Sequence, residues 1–346
     1  MKISQIPLLV IFCLLLTACK KSIPVKPTVF DSSNADIYVV GETQLPNGKV
    51  MGTLWKNGVA RLLTDTSVQS FANDIAVNGS DVYVTGAILH ANHYVQAVYW
   101  KNGMPNLLSD TTGDYDANSI SINGTNVYIT INEHFVNGTY IARHWVNKAP
   151  GLVVDSSQFY YETAMMANNA DVYLVGFNLK KMGDTSAFNI SYSKNGIITK
   201  LQQGSFPSDA VVNGDDLYIA GTIYAASAYY STAAYWKNGV KVNLTDGKST
   251  AYAFAIAVSG ADVYTAGGIN ANPGPSTIPV AVYWKNTTVV PLRGSSDPNG
   301  AGGIAVSGTD VYVTGAISGC PGYWKNGVPV ILGSEGYASR IVVVPH

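Results

Sequence analysis

Charge is what this chain has least of. Only 12% of its 346 residues are Asp, Glu, Lys or Arg, and they cancel to a formal net charge of −1. No basic run is longer than a lysine pair, so the electrostatic footprint with which nucleic-acid binders neutralise phosphates is missing, and nucleic acid is not an expected partner. Cysteine is equally scarce, with Cys13, Cys19 and Cys320 the complete set. The apolar stretch from Ile6 to Leu16 is too short to span a bilayer as a helix, which takes about 20 residues. Enzyme signatures are missing too: there is no Ser-x-Asp-x-Gly-x-x-Trp box, no Gly-x-Ser-x-Gly elbow and no P-loop. No catalytic residue and no cofactor is therefore assigned.

What the chain does have is repetition. An Asp-Val-Tyr-like triplet places Tyr38, Tyr83, Tyr128, Tyr173, Tyr218, Tyr264 and Tyr312 at a spacing in the mid-forties. One unit reads as four short strands, A to D: Ala72 to Val77, Asp81 to Gly86, Ala97 to Lys101 and Pro105 to Leu108. Asn78-Gly79 and Asn102-Gly103 lie between them, the dipeptide that tolerates positive φ in a tight hairpin. A four-stranded sheet of this length cannot bury both faces alone, so seven copies predict an all-β, seven-bladed β-propeller with four antiparallel strands per blade.

The third strand repeats a Tyr-Trp-Lys-Asn-Gly theme, and all six tryptophans (Trp55, Trp100, Trp145, Trp236, Trp284, Trp324) fall in that slot. A large ring recurring once per blade is expected to pack between neighbouring sheets. The first copy lacks a good strand A at Val29 to Ser33, while Tyr337 to Val343 aligns with Phe71 to Val77. The C-terminal segment is thus expected to serve as strand A of blade one, closing the ring over residues 29–346 without open edges.

At the N-terminus, Leu16-Thr17-Ala18-Cys19 follows the apolar stretch and resembles the lipobox of bacterial lipoproteins. The resemblance implies a signal peptide over 1–18, acylation of Cys19, a tether over 19–28, and membrane attachment through lipid in the bacterial envelope, at the outer membrane, with the periplasmic or surface face left open. With Cys13 removed and Cys19 modified, Cys320 would stand alone, with no intramolecular disulfide. Asp81 to Gly86 and Asp310 to Gly315 resemble extracellular YVTN-type propeller repeats, and Ala281 to Asn286 with Leu292 resembles bacterial extracellular repeats ending in a Trp-containing, Asn-Gly-turned strand. These likenesses imply an extracellular seven-bladed propeller and carry no catalytic residue across. Blade three departs with Ile131 in place of Gly, and blade four with Ser193 in place of Trp.

Several polar residues are explained by architecture. Asp36, Asp81, Asp171, Asp216, Asp262 and Asp310 follow the A–B turn, where a short carboxylate can accept backbone hydrogen bonds, and Asp65, Asp110 and Asp155 recur after strand D for a similar reason. His90, His93 and His134, with Glu133, share neighbouring B–C loops, but their unmatched spacing points to solvated side chains rather than a metal site. Near the start of strand A, where small residues crowd one mouth of the channel, Asp74, Glu162, Asp209 and Arg340 stand out. They suit either a polar ligand or an Arg340–Asp74 ion pair with solvated acids. Phe71, Tyr161, Phe206, Tyr252 and Tyr337 share one repeat position beside them, fit for rim packing or for stacking on a sugar or protein. Tyr94, Tyr140, Tyr224, Tyr229 and Tyr230 form a second surface in the B–C loops. The expectation is a monomeric, lipid-anchored binding or scaffold module for a glycan or protein partner. The alternative is a glycan-active hydrolase or lyase using Asp74, Glu162 and Asp209.

Overall fold

The computed structural model describes residues 34–346, apart from 92, 112, 136–139, 148, 151–158, 169–170, 183–184, 225–229, 271–278 and 295–299. The expected signal peptide, Cys19 and the tether lie outside the described residues, as do Asp155 and Tyr229. Seven four-stranded antiparallel sheets form the seven blades. Their innermost A strands are, from blade one to blade seven, Gly336–Pro345, Gln69–Asn78, Asp114–Asn123, Tyr161–Asn168, Ser205–Asn213, Ala251–Ser259 and Ala301–Ser307.

The ring closes as the repeat arithmetic requires. The last strand, Gly336–Pro345, pairs antiparallel with Ala35–Gln44, running from Ala35 opposite Pro345 to Thr43 opposite Gly336. The chain therefore enters and leaves the ring side by side at the A–B turn face, where the His346 amide also donates to the Asn34 carbonyl at 3.1 Å. The channel mouth formed by the starts of the A strands is on the opposite face.

Packing between blades follows the Trp slot. Trp55, Trp100, Trp236, Trp284 and Trp324 are at most 1% exposed. Each packs on the preceding blade: Trp284 of blade six, for example, lies against Tyr218, Tyr235 and Leu244 of blade five. Trp55 Nε1 donates to the Leu332 carbonyl at 3.1 Å, and Trp324 Nε1 to the Arg293 carbonyl at 2.6 Å, so the indoles also tie neighbouring blades together.

The two hairpin types differ. At the C–D turns Asn57, Asn102, Asn195, Asn238 and Asn326 have φ near +50° and the following Gly is also positive, the type I′ geometry. At the A–B turn of blade two, Asn78 pairs with Asp81, so the two-residue loop is Gly79-Ser80 and only Gly79 has positive φ, as in type II′. Asn78 is thus free to reach across the interface, and its Nδ2 donates to the Gly124 carbonyl of the next blade at 2.9 Å.

The repeating aspartates are structural, but through side chains rather than the expected backbone bonds. In blade one Asp36 takes Lys56 Nζ at 2.8 Å and Asn57 Nδ2 at 2.7 Å, while Lys56 lies 5.0 Å from the centre of the Tyr38 ring. The Lys–Asp pair recurs at 2.6–2.9 Å in blades two, four, five, six and seven. Exposed to solvent and screened by salt, these pairs add little to stability. Asp65 does form the expected turn, accepting the Ser67 amide at 2.8 Å. Cys320 is buried in the last B–C hairpin and is disulfide-bonded. The expectation of a lone thiol is therefore not met.

Candidate functional site

Every A strand carries a β-bulge near the channel mouth, absent from the sequence expectations. The register shifts between Ala72 and Asp74, Ala117 and Ser119, Glu162 and Ala164, Pro207 and Asp209, Ala253 and Ala255, and Ala301 and Ile304, and in blade one between Ala338 and Arg340. A bulge re-aims the side chains that follow it. The bulge also explains the strand-B glycines: a Cβ on Gly86 would stand 1.9 Å from the Phe71 carbonyl oxygen, and one on Gly267 1.9 Å from that of Tyr252.

Just past the bulge, Asp74, Asp209 and Arg340 come together from blades two, five and one. Arg340 Nε is 3.7 Å from Asp74 Oδ1 and its second terminal nitrogen 3.7 Å from Asp209 Oδ1, while the first donates to the Gly302 carbonyl at 2.9 Å. Neither acid is merely solvated. Asp74 accepts the amides of Ile75 and, from blade three, Ile120, each at 2.9 Å. Asp209 repeats this with Ala210 and, from blade six, Ile256, each at 3.0 Å. Ser119 plays the same part, accepting the Met165 amide of blade four at 3.2 Å. The three charged groups thus clip adjacent blades and floor the channel. Burial lifts Asp74 to about 6 against the pull of Arg340 and the backbone amides, and it raises Asp209 in the same way.

Glu162 does not join them. It lies before the bulge, where other blades have Ala or Pro, and is fully buried between blades three and four. Its Oε1 is 3.9 Å from His144 Nδ1, and its backbone is clasped by Asn132, which donates to the Glu162 carbonyl at 2.9 Å and accepts its amide at 3.0 Å. This seam is where the aromatic pair of other interfaces is replaced, His144 standing in the Tyr slot and Ser193 in the Trp slot. The expected acid trio therefore dissolves.

One step toward the mouth, Tyr337, Phe71, Asp116, Tyr161, Phe206, Tyr252 and Gly300 occupy equivalent places, so the shared aromatic position is real and two blades depart from it. The departure at Asp116 was missed, although Phe71, 116, 161 and 206 are evenly spaced and counting alone could have found it. Asp116 accepts Asn73 Nδ2 at 2.6 Å. It lies within electrostatic reach of both Tyr161 and Glu42, a strand-B residue of blade one that sequence reasoning also passed over. Burial lifts Glu42 to about 8, with the Ala72 amide pulling it back and Asp116 adding repulsion; burial lifts Asp116 to about 6.

From Tyr161 a belt of rings runs outward across blades three to five. Tyr140 is 5.7 Å from Tyr161 and 4.0 Å from His134, centre to centre. Phe177 stacks on Tyr161 at 5.5 Å and meets Phe206 at 5.0 Å, and Phe206 meets Tyr224 at 5.5 Å. Tyr140 and Tyr224 of the second expected surface are thereby merged with the mouth. Tyr252 stacks separately on Phe254 at 5.7 Å. The histidines do not converge: His90 Nε2 lies 2.9 Å from Gln96 Oε1, His93 is exposed, and Glu133 is engaged by Tyr115 and Arg143. Among the described residues no group of three or more His, Cys, Asp or Glu is placed to hold a metal.

Comparison by sequence matches no family model and no curated protein. Solved structures do match. The chain is similar to a puromycin-hydrolysing peptidase of Mycobacterium tuberculosis, with a TM-score of 0.55 and 9% identity over 90% of this chain and 55% of that one. It is also similar to the acylaminoacyl peptidase of Pyrococcus horikoshii, with a TM-score of 0.48 and 13% identity over 76% of this chain and 46% of that one. A third match is the β-propeller domain of the Trilobed protease of Pyrococcus furiosus, with a TM-score of 0.46 and 12% identity over 74% of this chain and 82% of that one. This chain spans about half the length of the first two, and at such identity the likeness is one of fold alone.

Proposed function

We propose that the protein is a lipid-anchored recognition module of the bacterial envelope that binds a glycan or protein partner on the channel-mouth face. One observation carries this reading: acids, amides and half-buried aromatic rings share a single surface, layered over a charged floor that is already occupied with holding blades together. Binding surfaces characteristically combine aromatic area with a few placed polar groups. The hydrolase alternative is the less favoured reading, because Glu162 is fully buried beside His144 and Asp74 and Asp209 are each engaged by two backbone amides and by Arg340. Paired acids of that kind need an open bond-flanking cleft.

The test is an array of envelope polysaccharides and peptides probed with the detergent-solubilised full chain, comparing wild type with Asp116→Asn. Binding that drops at least tenfold in the variant supports a mouth-face site, whereas binding unchanged by Asp116→Asn would move the site elsewhere. For the anchor, palmitate labelling is expected in wild type and lost in Cys19→Ala; equal labelling would sink the lipid attachment.

A further inference from the structure

Blade three breaks the repeat three times on the face it turns to blade two. Ile131 stands where the six other blades have glycine, and Glu133 and Arg143 stand where blade two has Ile88 and Val98 and blade six has Ile269 and Val282. The glycine makes room for the indole: a Cβ on Gly221, Gly267 or Gly315 would stand 3.0–3.2 Å from Cζ3 of the Trp in its own blade. Ile131 is only 1% exposed, so its side chain occupies that place. The indole of blade three is displaced in consequence. Trp145 still packs on the cluster of Tyr83, Tyr99 and Leu108 in blade two, but it is partly exposed, whereas the five other tryptophans are at most 1% exposed.

Beside the displaced indole lies a cavity of about 180 Å³, lined by Leu108 and Asp110 of blade two and by Tyr115, Ile131, Arg143 and Trp145 of blade three. Its walls come from the end of one strand D and the start of the next strand A, so it lies toward the mouth face. A cavity of about 150 Å³ accepts a benzene-sized ring, and pockets for drug-sized ligands begin at about 300 Å³. A single six-membered ring is therefore the fitting occupant. The polar wall is fixed in advance: Arg143 Nε donates to Oε2 of the buried Glu133 at 2.9 Å, and the Tyr115 hydroxyl donates to its Oε1 at 3.0 Å. Asp110 is exposed on the blade-two side. A phenyl ring here would strip water from these groups and return nothing. A pyranose lays its C–H face on the indole and turns its hydroxyls to the carboxylates and the guanidinium, so each polar group keeps a partner. Arg143 is already paired with Glu133, and Asp110 adds a further acid, which disfavours an anionic sugar.

Resting on the recognition reading above for its face, we propose that the seam of blades two and three binds one neutral pyranose unit of a glycan, stacked on Trp145 and hydrogen-bonded by Asp110, Arg143 and Glu133. Ile131 is the positioning residue, because it holds the indole out of the slot that buries it elsewhere in the ring.

The experiment uses the full chain in a detergent without a sugar headgroup and reads acrylamide quenching of tryptophan fluorescence. With five indoles buried, the quenchable emission belongs to Trp145. The probes are glucose, galactose, mannose and N-acetylglucosamine with their oligosaccharides, glucuronate as the anionic counterpart, and the peptides of the array above. At least one neutral sugar is expected to cut quenching at least twofold at saturation, and its dissociation constant should rise at least tenfold in Asp110→Asn, an exposed position that leaves folding intact. Ile131→Gly should return the indole to its slot, lowering quenching without any sugar and abolishing sugar binding. Equal sugar affinity in wild type and Asp110→Asn, stronger protection by glucuronate than by every neutral sugar, or quenching unchanged by Ile131→Gly would overturn the site. Peptide binding alone, or glycan binding abolished by Asp116→Asn and untouched by these variants, would overturn the inference while leaving the recognition reading standing. No binding of sugar or peptide would sink both.

Discussion

Glu42→Gln should make the protein more stable at alkaline pH and leave it nearly unchanged at acid pH. Burial and the neighbouring Asp116 carry the Glu42 carboxyl from an ordinary 4.5 to about 8. A group raised in this way binds its proton more tightly in the folded state. Its stabilising contribution is complete below the unfolded value near 4.5 and is lost as pH rises through about 8. At 1.36 kcal/mol per pH unit, that gap corresponds to about 5 kcal/mol as an upper bound. Glu42 is only partly buried, so solvent in the channel reduces the expected difference to about 1–3 kcal/mol. Glutamine keeps an oxygen to accept the Ala72 amide but has no proton to lose. Urea denaturation of both proteins at pH 5, 7 and 9 measures the difference directly, since Asp74 and Asp116 titrate in both. The variant should gain on wild type between pH 5 and about 8 and level off above that. A difference that is flat across this range, or that shrinks with rising pH, would refute the placement of Glu42 in a shielded, acid-rich mouth.

Two further outcomes test the frame. Gly86→Ala should destabilise by about 3 kcal/mol or more, because its Cβ meets the Phe71 backbone at 1.9 Å, whereas Gly79→Ala, with open space and φ of +58°, should cost about 1 kcal/mol. Similar melting of the two variants would contradict the bulge geometry. Deleting residues 337–346 should abolish the cooperative unfolding transition, since it strips strand A from blade one and bares the edge at Ala35–Gln44; an unchanged transition would contradict closure by that strand.

Much of the frame was legible because it rests on local chemistry repeated seven times. Asn-Gly dipeptides mark hairpins, a single aromatic slot marks every blade interface but that of blades three and four, and the surplus strand at Tyr337 to Val343 answers the deficit before Asp36. The site was legible only in part, and the bulge is the reason. Strand alternation assigns faces by counting in twos, and an extra residue with no distinctive side chain resets the count. Asp74, Asp209 and Arg340 lie beyond the reset and Glu162 two positions earlier in the repeat, before it, so residues that an unbroken strand would turn to one face separate into a channel floor and a buried seam. Asp116 carried a signal in its spacing. Glu42 carried none, since only the three-dimensional closeness of blades one and three brings it to Asp116.

The side-by-side pairing of Ala35 with Pro345 has a consequence for how the molecule is presented. Whatever precedes Asn34 joins the propeller at its underside. If acyl chains hold Cys19, the stretch from Lys20 to Asn34 is a leash of at most about 50 Å when fully drawn out. A disc leashed from beneath turns its upper face outward, so the ring belt and its acids would meet visitors from solution, and the lipid surface would see the lysine-studded turns instead.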